Sequence, residues 1–552
     1  MSYSDKENIN MLCALLPCHG ITHAVVCPGS RNAPIVHNLN ECQHVQCYPV
    51  TDERSAGFFA LGMAEQLGEP VAVCVTSGTA LLDLAPAVAE ALHRHLPLVV
   101  ISADRHMAHI GQQMGQTIDQ PGALSRFTLV DVNLVEPHDE ITRWHCNRLI
   151  NEALIAAKRG PVHINVPYDE PLFQFTVESL PLPRVIQMVD IPADASAVMG
   201  ALQLIHEAQR PMLVIGQLPQ GVVTCQLLGA LRPHVAVLAE ALGADDGGSP
   251  FDELLPMVEH NADYEPDCVI YLGGTLVSKR IKAYLRRLED VKMIQVGGDG
   301  QVHDTFGHLI QVINCDEATV LRAMCKLLDG KDNNPYAQRW NEALAAAKQH
   351  FDFLRPDFSQ MLAVKVALQS VKEFDGHYVM HFANSQPVRL ANLFARQHVC
   401  CNRGVNGIEG TTSAAAGCAA VTSGRVLCVT GDLSFFYDQN ALWNKNLSGN
   451  LRILLLNNGG GGIFSQLKGL EASPARDDMI AGGHSTRAEG CCLTHGVGYR
   501  VANGSEDLYS GLAWLVQDDS DRPRLLEVVT TVDRDRHVWE QARESLRLKI
   551  KG

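Results

Sequence analysis

The sequence lacks any apolar stretch long enough to cross a membrane, and its first residues, Met-Ser-Tyr-Ser-Asp-Lys-Glu-Asn, contain no apolar core of signal-peptide length. A transmembrane helix needs about 20 predominantly apolar residues. We therefore expect no membrane partner and no secretory signal. These features predict a cytoplasmic protein.

Basic charge is also scarce, because 45 Lys and Arg stand against 61 Asp and Glu, which gives a formal net charge of −16. Nucleic acids and anionic membrane surfaces are bound by basic faces. This composition therefore argues against a nucleic-acid partner. Any anionic substrate must be met by a local cluster of arginine and lysine.

Paired cysteine spacings are missing as well. The 17 cysteines are odd in number, and no two of them have the C-x-x-C spacing. Disulfide frameworks and zinc sites use paired cysteines. We expect reduced structural thiols and no zinc site.

The chain is too long for one hydrophobic core, since it has 552 residues. Apolar runs of strand length alternate with helical patterns, which predicts an α/β fold. Linkers rich in Pro, Gly, Asp or Asn are predicted at Leu180–Arg184 with Ile191-Pro192, and at Asp329–Pro335. We predict three domains, at residues 1–180, 190–330 and 350–552.

The most informative stretch is Gly431-Asp432-Leu433-Ser434, read together with Asn457-Asn458-Gly459-Gly460. Each half follows an apolar run of strand length, and a segment containing Leu442 and Trp443 between them fits a helix. Such a βαβ unit brings Asp432 and Asn458 to one sheet edge, where they could share one ion.

Carboxylate, amide and carbonyl oxygens suit Mg²⁺, and a glycine-rich turn lets backbone amides approach a diphosphate. The alternative is an ordinary α/β turn with a capping Asp. The spacing of GD-x-S to NN resembles that of the diphosphate and metal motif in thiamine-diphosphate enzymes, which favours a ligand site over the ordinary turn.

Polar loops follow the predicted strands of the first domain. Ser30 and Arg31 lie in the loop Pro28–Asn32. Ser30 either binds a ligand or caps the next helix, and Arg31 either binds a ligand or is a solvated surface charge. Asp52 is placed to cap the next helix, so Glu53 falls in its first turn. Glu53 is either favoured there by the helix dipole or aimed at a heterocycle nitrogen.

Cations at loop ends mark the other domains. Lys279 and Arg280 begin a helix in the middle domain, where they oppose the helix dipole and indicate a bound anion or solvated charge. In the third domain, Arg389 follows Asn384-Ser385, and Arg403 follows Asn402.

These motifs, in their order and spacing, resemble those of the 2-succinyl-5-enolpyruvyl-6-hydroxy-3-cyclohexene-1-carboxylate synthases, the thiamine-diphosphate enzymes of menaquinone biosynthesis. The resemblance spans the whole chain and is dense in the first and third domains. It implies three doubly wound parallel-sheet domains, which are a pyrimidine-binding, a middle and a diphosphate-binding domain.

The resemblance implies thiamine diphosphate with Mg²⁺, or Mn²⁺ in its place, as cofactors. Glu53 matches the glutamate that hydrogen-bonds the aminopyrimidine, and Ile408 the apolar residue beneath the bent cofactor. The implied metal ligands are Asp432, Asn458 and the Gly460 carbonyl. The implied cofactor-binding set is Glu53, Thr76, Ser77, Gly78, Ile408, Gly431, Asp432, Leu433, Ser434, Asn458, Gly460, Gly461, Ile463 and Phe464.

The implied reaction decarboxylates 2-oxoglutarate and adds the succinyl carbanion to isochorismate in a 1,4-addition. Both substrates are dianions, which suits arginine. Ser385, Arg389 and Arg403 are expected near the carboxylate that comes from 2-oxoglutarate. The residues expected near isochorismate are Ser30, Arg31, Arg105, Gln116, Lys279 and Arg280. A homodimer or homotetramer with active sites at the subunit interface is implied.

Three features depart from the family pattern. Gly115 stands where an Asn is expected before Gln116, and a glycine run replaces a third Asn in the metal turn. The segment from Ser473 to Thr494 matches poorly and is expected to form an active-site flap.

Two rival interpretations also fit parts of the sequence. Another thiamine-diphosphate carboligase or decarboxylase, similar to acetohydroxyacid synthase, would share Glu53, Asp432 and Asn458. It would not require the cluster of cations formed by Arg31, Arg105, Lys279, Arg280, Arg389 and Arg403. A dinucleotide-binding protein is the second, although Gly459 to Gly462 lack the G-x-G-x-x-G spacing.

Overall fold

The computed structural model describes residues 2–189, 195–467 and 469–551. Ile191-Pro192 of the first predicted linker lie outside the described residues. No described helix is both long and apolar enough to cross a membrane.

The first sheet and its helices come from the amino-terminal third of the chain. The strands are β1 (His23–Val26), β2 (Gln46–Pro49), β3 (Val71–Val75), β4 (Leu98–Asp104), β5 (Val130–Asn133) and β6 (Val162–Pro167). The helices are α1 (Glu7–Cys18), α2 (Ala33–Glu41), α3 (Glu53–Leu67), α4 (Thr79–Asp83), α5 (Ala85–Arg94) and α6 (Glu140–Ala156). The sheet order is β2-β1-β3-β4-β6-β5, and every ladder is parallel.

The second sheet has five strands: β7 (Pro211–Ile215), β8 (Ala236–Ala239), β9 (Cys268–Leu272), β10 (Lys292–Val296) and β11 (Leu309–Ile313). Its helices are α7 (Ala195–Ala201), α8 (Gln203–Glu207), α9 (Cys225–Leu231), α10 (Phe251–Val258), α11 (Lys279–Arg287) and α12 (Glu317–Leu328). The strands run parallel in the order β11-β10-β9-β7-β8.

The third sheet has strands β12 (Tyr378–Phe382), β13 (Arg425–Gly431), β14 (Leu451–Asn457), β15 (Gly498–Ala502) and β16 (Arg524–Val529). Helices α13 (Pro335–Phe353), α14 (Gln360–Glu373), α15 (Gln386–Phe394), α16 (Thr411–Val421), α17 (Asp432–Tyr437), α18 (Glu489–Thr494), α19 (Ser505–Leu512) and α20 (Val532–Lys551) belong to this part of the chain. The order is β12-β13-β14-β16-β15, again all parallel.

Short non-α turns complete the described elements. The 3-10 turns are Met107–His109, Ala157–Arg159, Ala262–Tyr264, Gln439–Leu442, Gly462–Gln466 and Leu470–Ala472, and the π-helical turns are Arg476–Ile480 and Ala513–Gln517.

Three parallel sheets flanked by helices confirm the predicted fold class. Strands such as β3, β9 and β14 are buried along their whole length. Parallel strands covered on both faces read as continuous apolar runs, which is why the sequence pattern identified them.

Helix α13 joins the packing of the second and third sheets. Its first half, with Tyr336 and Trp340, packs in the core of the second sheet. Its second half, with Ala347 and Phe351, packs in the core of the third. One continuous helix therefore ties the two layers together just after the second predicted linker.

The first and third sheets meet through helices α3 and α16. A Cβ added to Gly62 would lie 1.9 Å from the Ala414 carbonyl oxygen, and one added to Gly417 would lie 1.9 Å from that of Phe59. The two backbones are thus in direct contact, which explains why α16 is built of small residues.

The segment containing Leu442 and Trp443 was predicted as a helix, and this is wrong. The α-helix of the crossover is α17, which begins directly at Asp432, while Gln439–Leu442 form one 3-10 turn. Beyond it, Asn444 Oδ1 accepts from the Asn446 amide. Such side-chain bonds compete with helix formation.

Candidate functional site

Asp432 and Asn458 leave the same edge of the third sheet. Gly431 at the end of β13 is in register with Leu456 of β14, so the residues after each strand emerge side by side. A Cβ added to Gly431 would meet nothing within 4 Å, which leaves open space beside this edge. Carboxyl ends of parallel strands are where α/β proteins bind ligands.

The buried carboxylate of Asp432 organises residues 457–462, which we call the glycine turn. Its Oδ2 accepts from the backbone amides of Asn458 (3.1 Å), Gly459 (2.9 Å) and Gly460 (3.0 Å). Its Oδ1 accepts from the Leu433 amide at 2.7 Å. These amides were predicted to approach a diphosphate, whereas here three of them hold the carboxylate.

Burial raises the pKa of Asp432, while its amide donors and His484 act in the opposite direction. The His484 Nε2 atom lies 3.4 Å from Asp432 Oδ2. A cation at this edge would further favour the ionised carboxylate.

The glycine turn needs glycine at two positions. Gly459 has a φ of 82° and Gly460 one of 157°. Residues from the predicted flap cover the turn, because the Gly461 amide donates to the Ala481 carbonyl (2.7 Å) and the His484 amide to the Gly459 carbonyl (2.9 Å).

The oxygen donors at this edge fit a hard divalent cation. Asn458 donates its Nδ2 to Asp535 Oδ2 at 3.1 Å, so its Oδ1 points to the other side of the amide. A carboxylate, an amide oxygen and the Gly460 carbonyl form the donor set that Mg²⁺ prefers.

Ile408 lies on a loop that is held from several directions. Its side chain is 40% exposed, and its carbonyl accepts from Ser434 Oγ. On the same loop, the Gly404 and Val405 amides each donate at 2.8 Å to the carboxylate of Glu90, a residue of α5. The first sheet region thereby anchors a loop of the third.

Arg403 and Asn384 are bound to each other behind that loop. Arg403 Nη1 donates to Asn384 Oδ1 at 3.0 Å, and its Nη2 donates to the Leu276 carbonyl at 3.3 Å. The neighbouring Ser385 has a φ of 76°. Non-glycine residues adopt this region rarely, and such strain often occurs at functional sites.

A pocket of about 220 Å³ lies between the second and third sheet regions, and we call it the arginine pocket. It brings together the predicted residues Lys279, Arg280, Arg389 and Ile463. Burial lowers the pKa of Arg389. Because Ile463 follows the glycine turn directly, the pocket adjoins the candidate metal edge. Phe464 packs beside Gly461 within the turn.

Two acids and a helix from the carboxyl-terminal region hold the cations of this pocket. Arg280 Nη1 donates to Asp252 Oδ2 (2.8 Å) and to Glu253 Oε1 (3.0 Å). Arg543 of α20 donates through Nε to Glu253 Oε2 at 2.7 Å. Lys279 is exposed, whereas Arg280 is partly buried.

A second set of predicted residues lies at the edge of the first sheet. Arg31 is 4% exposed, so the surface-charge alternative is wrong for it. Its guanidinium donates to the Tyr168 carbonyl and to Glu170 Oε1, both at 3.3 Å. Arg105 lies 3.7 Å from the same Glu170 oxygen. Burial and the charge of Arg105 lower the pKa of Arg31.

The loop after β3 lies against the segment that carries Gln116. Ser77 Oγ donates to the Gln116 carbonyl at 2.9 Å, and the Gly78 amide donates to Gln120 Oε1 at 2.7 Å. Thr76 is buried, whereas the Gln116 side chain is exposed. Gln116 has a φ of 60°. Ser30 is exposed nearby and is not the cap of α2, which begins after Asn32.

Glu53 lies half-buried in the first turn of α3. Asp52 caps the helix as predicted, because its Oδ1 accepts from the Ser55 amide at 2.9 Å. Burial raises the pKa of Glu53, and the nearby Asp83 and Asp52 raise it further. Glu53 is thus a partly buried carboxyl group with a raised pKa.

The predicted site residues fall into two halves within one chain. Among the residues that the structure describes, no hydrogen bond or ion pair joins a predicted residue of the first sheet region to one of the second or third. The first half contains Ser30, Arg31, Glu53, Thr76, Ser77, Gly78, Arg105 and Gln116. The other predicted residues, from Lys279 onward, form the second half.

Sequence reasoning missed several residues that hold the site. Asp252 and Glu253 hold Arg280, Asp535 holds Asn458 and Glu170 holds Arg31, while Arg543 holds Glu253 in turn. No local motif marks them, so only the three-dimensional contacts reveal their part.

A cluster of potential metal ligands also lies outside the predicted site. The ligand atoms of Glu65, His381 and Cys400 lie within 4.8 Å of one another. The Arg94 guanidinium forms an ion pair with Glu65 and thus supplies the positive charge there. The cluster is part of the buried contact between the first and third sheet regions.

Comparisons with known proteins find relatives that match nearly the whole chain. A family model described as "Thiamine pyrophosphate enzyme, N-terminal TPP binding domain" matches residues 9–123. A Bacteroides thetaiotaomicron protein named 2-succinyl-5-enolpyruvyl-6-hydroxy-3-cyclohexene-1-carboxylate synthase is 42% identical over 564 residues, which cover 99% of this chain and 100% of that protein.

Similar proteins with the same name occur in other organisms. The relative from Phocaeicola vulgatus is 41% identical over 97% of both chains. The relative from Porphyromonas gingivalis is 34% identical and covers 96% of this chain and 95% of its own length. The resemblance therefore extends over all three sheets.

Proposed function

The chain belongs to the 2-succinyl-5-enolpyruvyl-6-hydroxy-3-cyclohexene-1-carboxylate synthase family, and from this premise we propose how its residues carry out the reaction. The enzyme is a thiamine-diphosphate-dependent transferase of menaquinone biosynthesis. It decarboxylates 2-oxoglutarate and transfers the succinyl unit to isochorismate by 1,4-addition.

Asp432, Asn458 and the Gly460 carbonyl would hold Mg²⁺, or Mn²⁺ in its place, beside the diphosphate. The supporting observation is the set of oxygen donors at one sheet edge, with Asp432 held in place by four amides. Gly431, Leu433, Ser434, Gly461 and Phe464 would surround the diphosphate side. Thiamine diphosphate, when bound, supplies the carbon nucleophile and the electron sink.

Glu53 would hold a proton at the aminopyrimidine ring. Its half-buried carboxylate would accept a hydrogen bond from a protonated ring nitrogen and would stabilise that charge. Thr76, Ser77 and Gly78 would lie against the ring, and Ile408 would support the bent cofactor from below. The raised pKa of Glu53 is consistent with an acid in a partly dry site.

Local cations would bind the two dianions. Arg389, Arg403 and Ser385 would orient the carboxylate of 2-oxoglutarate, since arginine binds carboxylates in a bidentate manner. Lys279 and Arg280 would meet isochorismate from the pocket side. The first sheet region would contribute Ser30, Arg31, Arg105 and Gln116.

The two halves would come together between subunits. The absence of direct bonds between the two halves among the described residues supports an arrangement in which each half faces the other half of a partner subunit. We therefore propose a homodimer or homotetramer. The proposed location is the cytoplasm.

One observation favours this reaction over that of an acetohydroxyacid synthase relative. The arginine pocket gathers Lys279, Arg280 and Arg389 beside the turn that would carry the metal. An enzyme for monoanionic 2-oxoacids would not need three cations there.

The test is turnover by the purified protein with thiamine diphosphate, Mg²⁺, 2-oxoglutarate and isochorismate, followed by mass spectrometry. We expect a decarboxylated adduct that requires all four components and that falls by at least about 100-fold in Glu53→Gln. Carbon dioxide without the adduct would move the acceptor elsewhere. If thiamine diphosphate does not bind and no turnover occurs, the proposal fails.

A further inference from the structure

We propose that Asp535 is a positioning residue that fixes the orientation of the Asn458 side-chain amide, so that its oxygen and not its nitrogen faces the metal. This inference deepens the proposed function and rests on it. Asp535 lies in the first turn of α20, 77 positions after Asn458 in the chain.

Every hydrogen bond that the structure gives to the Asp535 carboxylate is one that it accepts. Its Oδ2 accepts from Asn458 Nδ2 at 3.1 Å and from Thr530 Oγ1 at 2.8 Å. Its Oδ1 accepts from the Gln360 amide at 2.9 Å. A carboxylate has no donor to offer, so it accepts only the nitrogen end of the Asn458 amide.

Strand pairing determines the distance between the two side chains. Asn457 of β14 is in register with Val529 of β16, and the Thr530 amide donates to the Asn457 carbonyl at 2.9 Å. Asp535 follows in the next turn and is held by Gln360 from α14. Its carboxylate is therefore immobilised before any ligand arrives.

The orientation matters because the two ends of an asparagine amide have nearly equal size but opposite hydrogen-bonding character. An inverted amide would turn an NH₂ group toward the cation and remove one oxygen ligand. Asp432 orients the backbone of the glycine turn, and Asp535 would orient its side chain. Such outer partners typically change metal affinity by about 10- to 100-fold.

The first test compares Asp535→Asn with Asp533→Asn by calorimetric titration of Mg²⁺ into full-length protein with thiamine diphosphate. In Asp535→Asn, one carboxylate oxygen becomes an NH₂ group. It would face a donor in both orientations of the side chain: the Gln360 amide in one, and Asn458 Nδ2 with Thr530 Oγ1 in the other. We expect the Mg²⁺ Kd to rise at least about tenfold. Asp533 has an 85% exposed side chain in the same turn, so its variant should stay within about twofold.

The second test exchanges the two groups in the variant Asn458→Asp/Asp535→Asn. An aspartate at 458 offers oxygen at both ends, and an asparagine at 535 can donate to it while still accepting from the Gln360 amide. We expect most of the lost Mg²⁺ affinity to return, which a merely structural role for Asp535 would not produce.

The outcomes separate this inference from the function on which it rests. Wild-type protein that binds neither Mg²⁺ nor thiamine diphosphate would overturn the proposed function. Wild-type binding with an unchanged Kd in Asp535→Asn would overturn only the inference. If Asp535→Asn does not fold, the exchanged variant decides: a Kd near the wild-type value supports the inference, and loss of binding or of folding overturns it.

Discussion

Asp432 is held by four backbone amides of its own sheet edge, whereas Arg280 and Arg31 are held by carboxylates of distant side chains. The first arrangement belongs to the proposed metal and diphosphate region, and the second to side chains proposed to bind the substrates. Backbone amides are set by strand register, so the metal and diphosphate region is preformed before binding. Ion pairs between side chains can exchange partners when a dianion arrives.

The difference indicates how the enzyme can bind anions with few unpaired buried charges. A buried cation without a partner is costly, so Glu253 and Asp252 neutralise Arg280 in the arginine pocket. Glu170 has a similar relation to Arg31 and Arg105, although it is 69% exposed. The burial of these acids should therefore decide how strongly they affect substrate binding.

The largest effect should come from Asp432→Asn, which removes the negative charge at the proposed metal site. The asparagine NH₂ group would face backbone amides that donate to a carboxylate oxygen in the wild type. The lost charge would also weaken the cation site. We expect thiamine diphosphate to bind at least about 100-fold more weakly in the presence of Mg²⁺. Calorimetry checks this, with the exposed Asp477→Asn as control. Binding within a few-fold of wild type would contradict a metal role for Asp432.

Arg389→Ala should show the next largest effect. Loss of a charge-assisted contact is worth about 1.5–3 kcal/mol, which corresponds to a rise of roughly 10- to 100-fold in the KM for 2-oxoglutarate. The KM for isochorismate should change less. Steady-state kinetics with each substrate varied provide the measurement, with Arg396→Ala, just beyond the same helix, as control. Equal changes for both substrates would count against the assignment.

Glu253→Gln tests whether a buried acid positions Arg280. Glu253 is 5% exposed and also binds Arg543, so its neutralisation should misplace both guanidinium groups. We expect the KM for isochorismate to rise by roughly 3- to 10-fold. The matched variant is Glu170→Gln, in which the acid itself is exposed, and a change below about twofold is expected. Equal effects in the two variants would remove the distinction between them.

The smallest effect on ligand binding is expected from the buried Asp438, which follows α17 directly and affects the pH dependence of stability. Its carboxyl accepts from the Ser413 amide (2.8 Å) and hydroxyl (2.7 Å), and burial raises its pKa from 3.8 to about 7. The folded state therefore binds this proton more tightly than the unfolded state, and stability from this group falls as pH rises from about 4 to about 7.

The comparison for this effect is between wild type and Asp438→Asn, which keeps an acceptor for the amide and gains a donor for the hydroxyl. The difference in melting temperature, wild type minus variant, should decrease as pH rises through this range and level off above about pH 7. A difference that does not depend on pH would show that Asp438 titrates like an exposed acid.

The amino-acid sequence alone determined the local parts of this protein. The apolar runs of β13 and β14 predicted parallel strands, and their spacing brought Asp432 and Asn458 to one edge. The cap at Asp52 placed Glu53 in the first turn of α3. Such features depend on periodicity and on neighbours a few residues away, which a sequence displays directly.

The tertiary structure alone decided what holds those parts in place. Glu253 meets Arg543 across 290 positions, and Asp535 meets Asn458 across 77. The sequence carries no local sign of these contacts, because they arise only when helices pack on sheets. The tertiary structure also decided that Arg31 is buried and that the glycine-turn amides bind Asp432, since both depend on which distant groups fill the surrounding space.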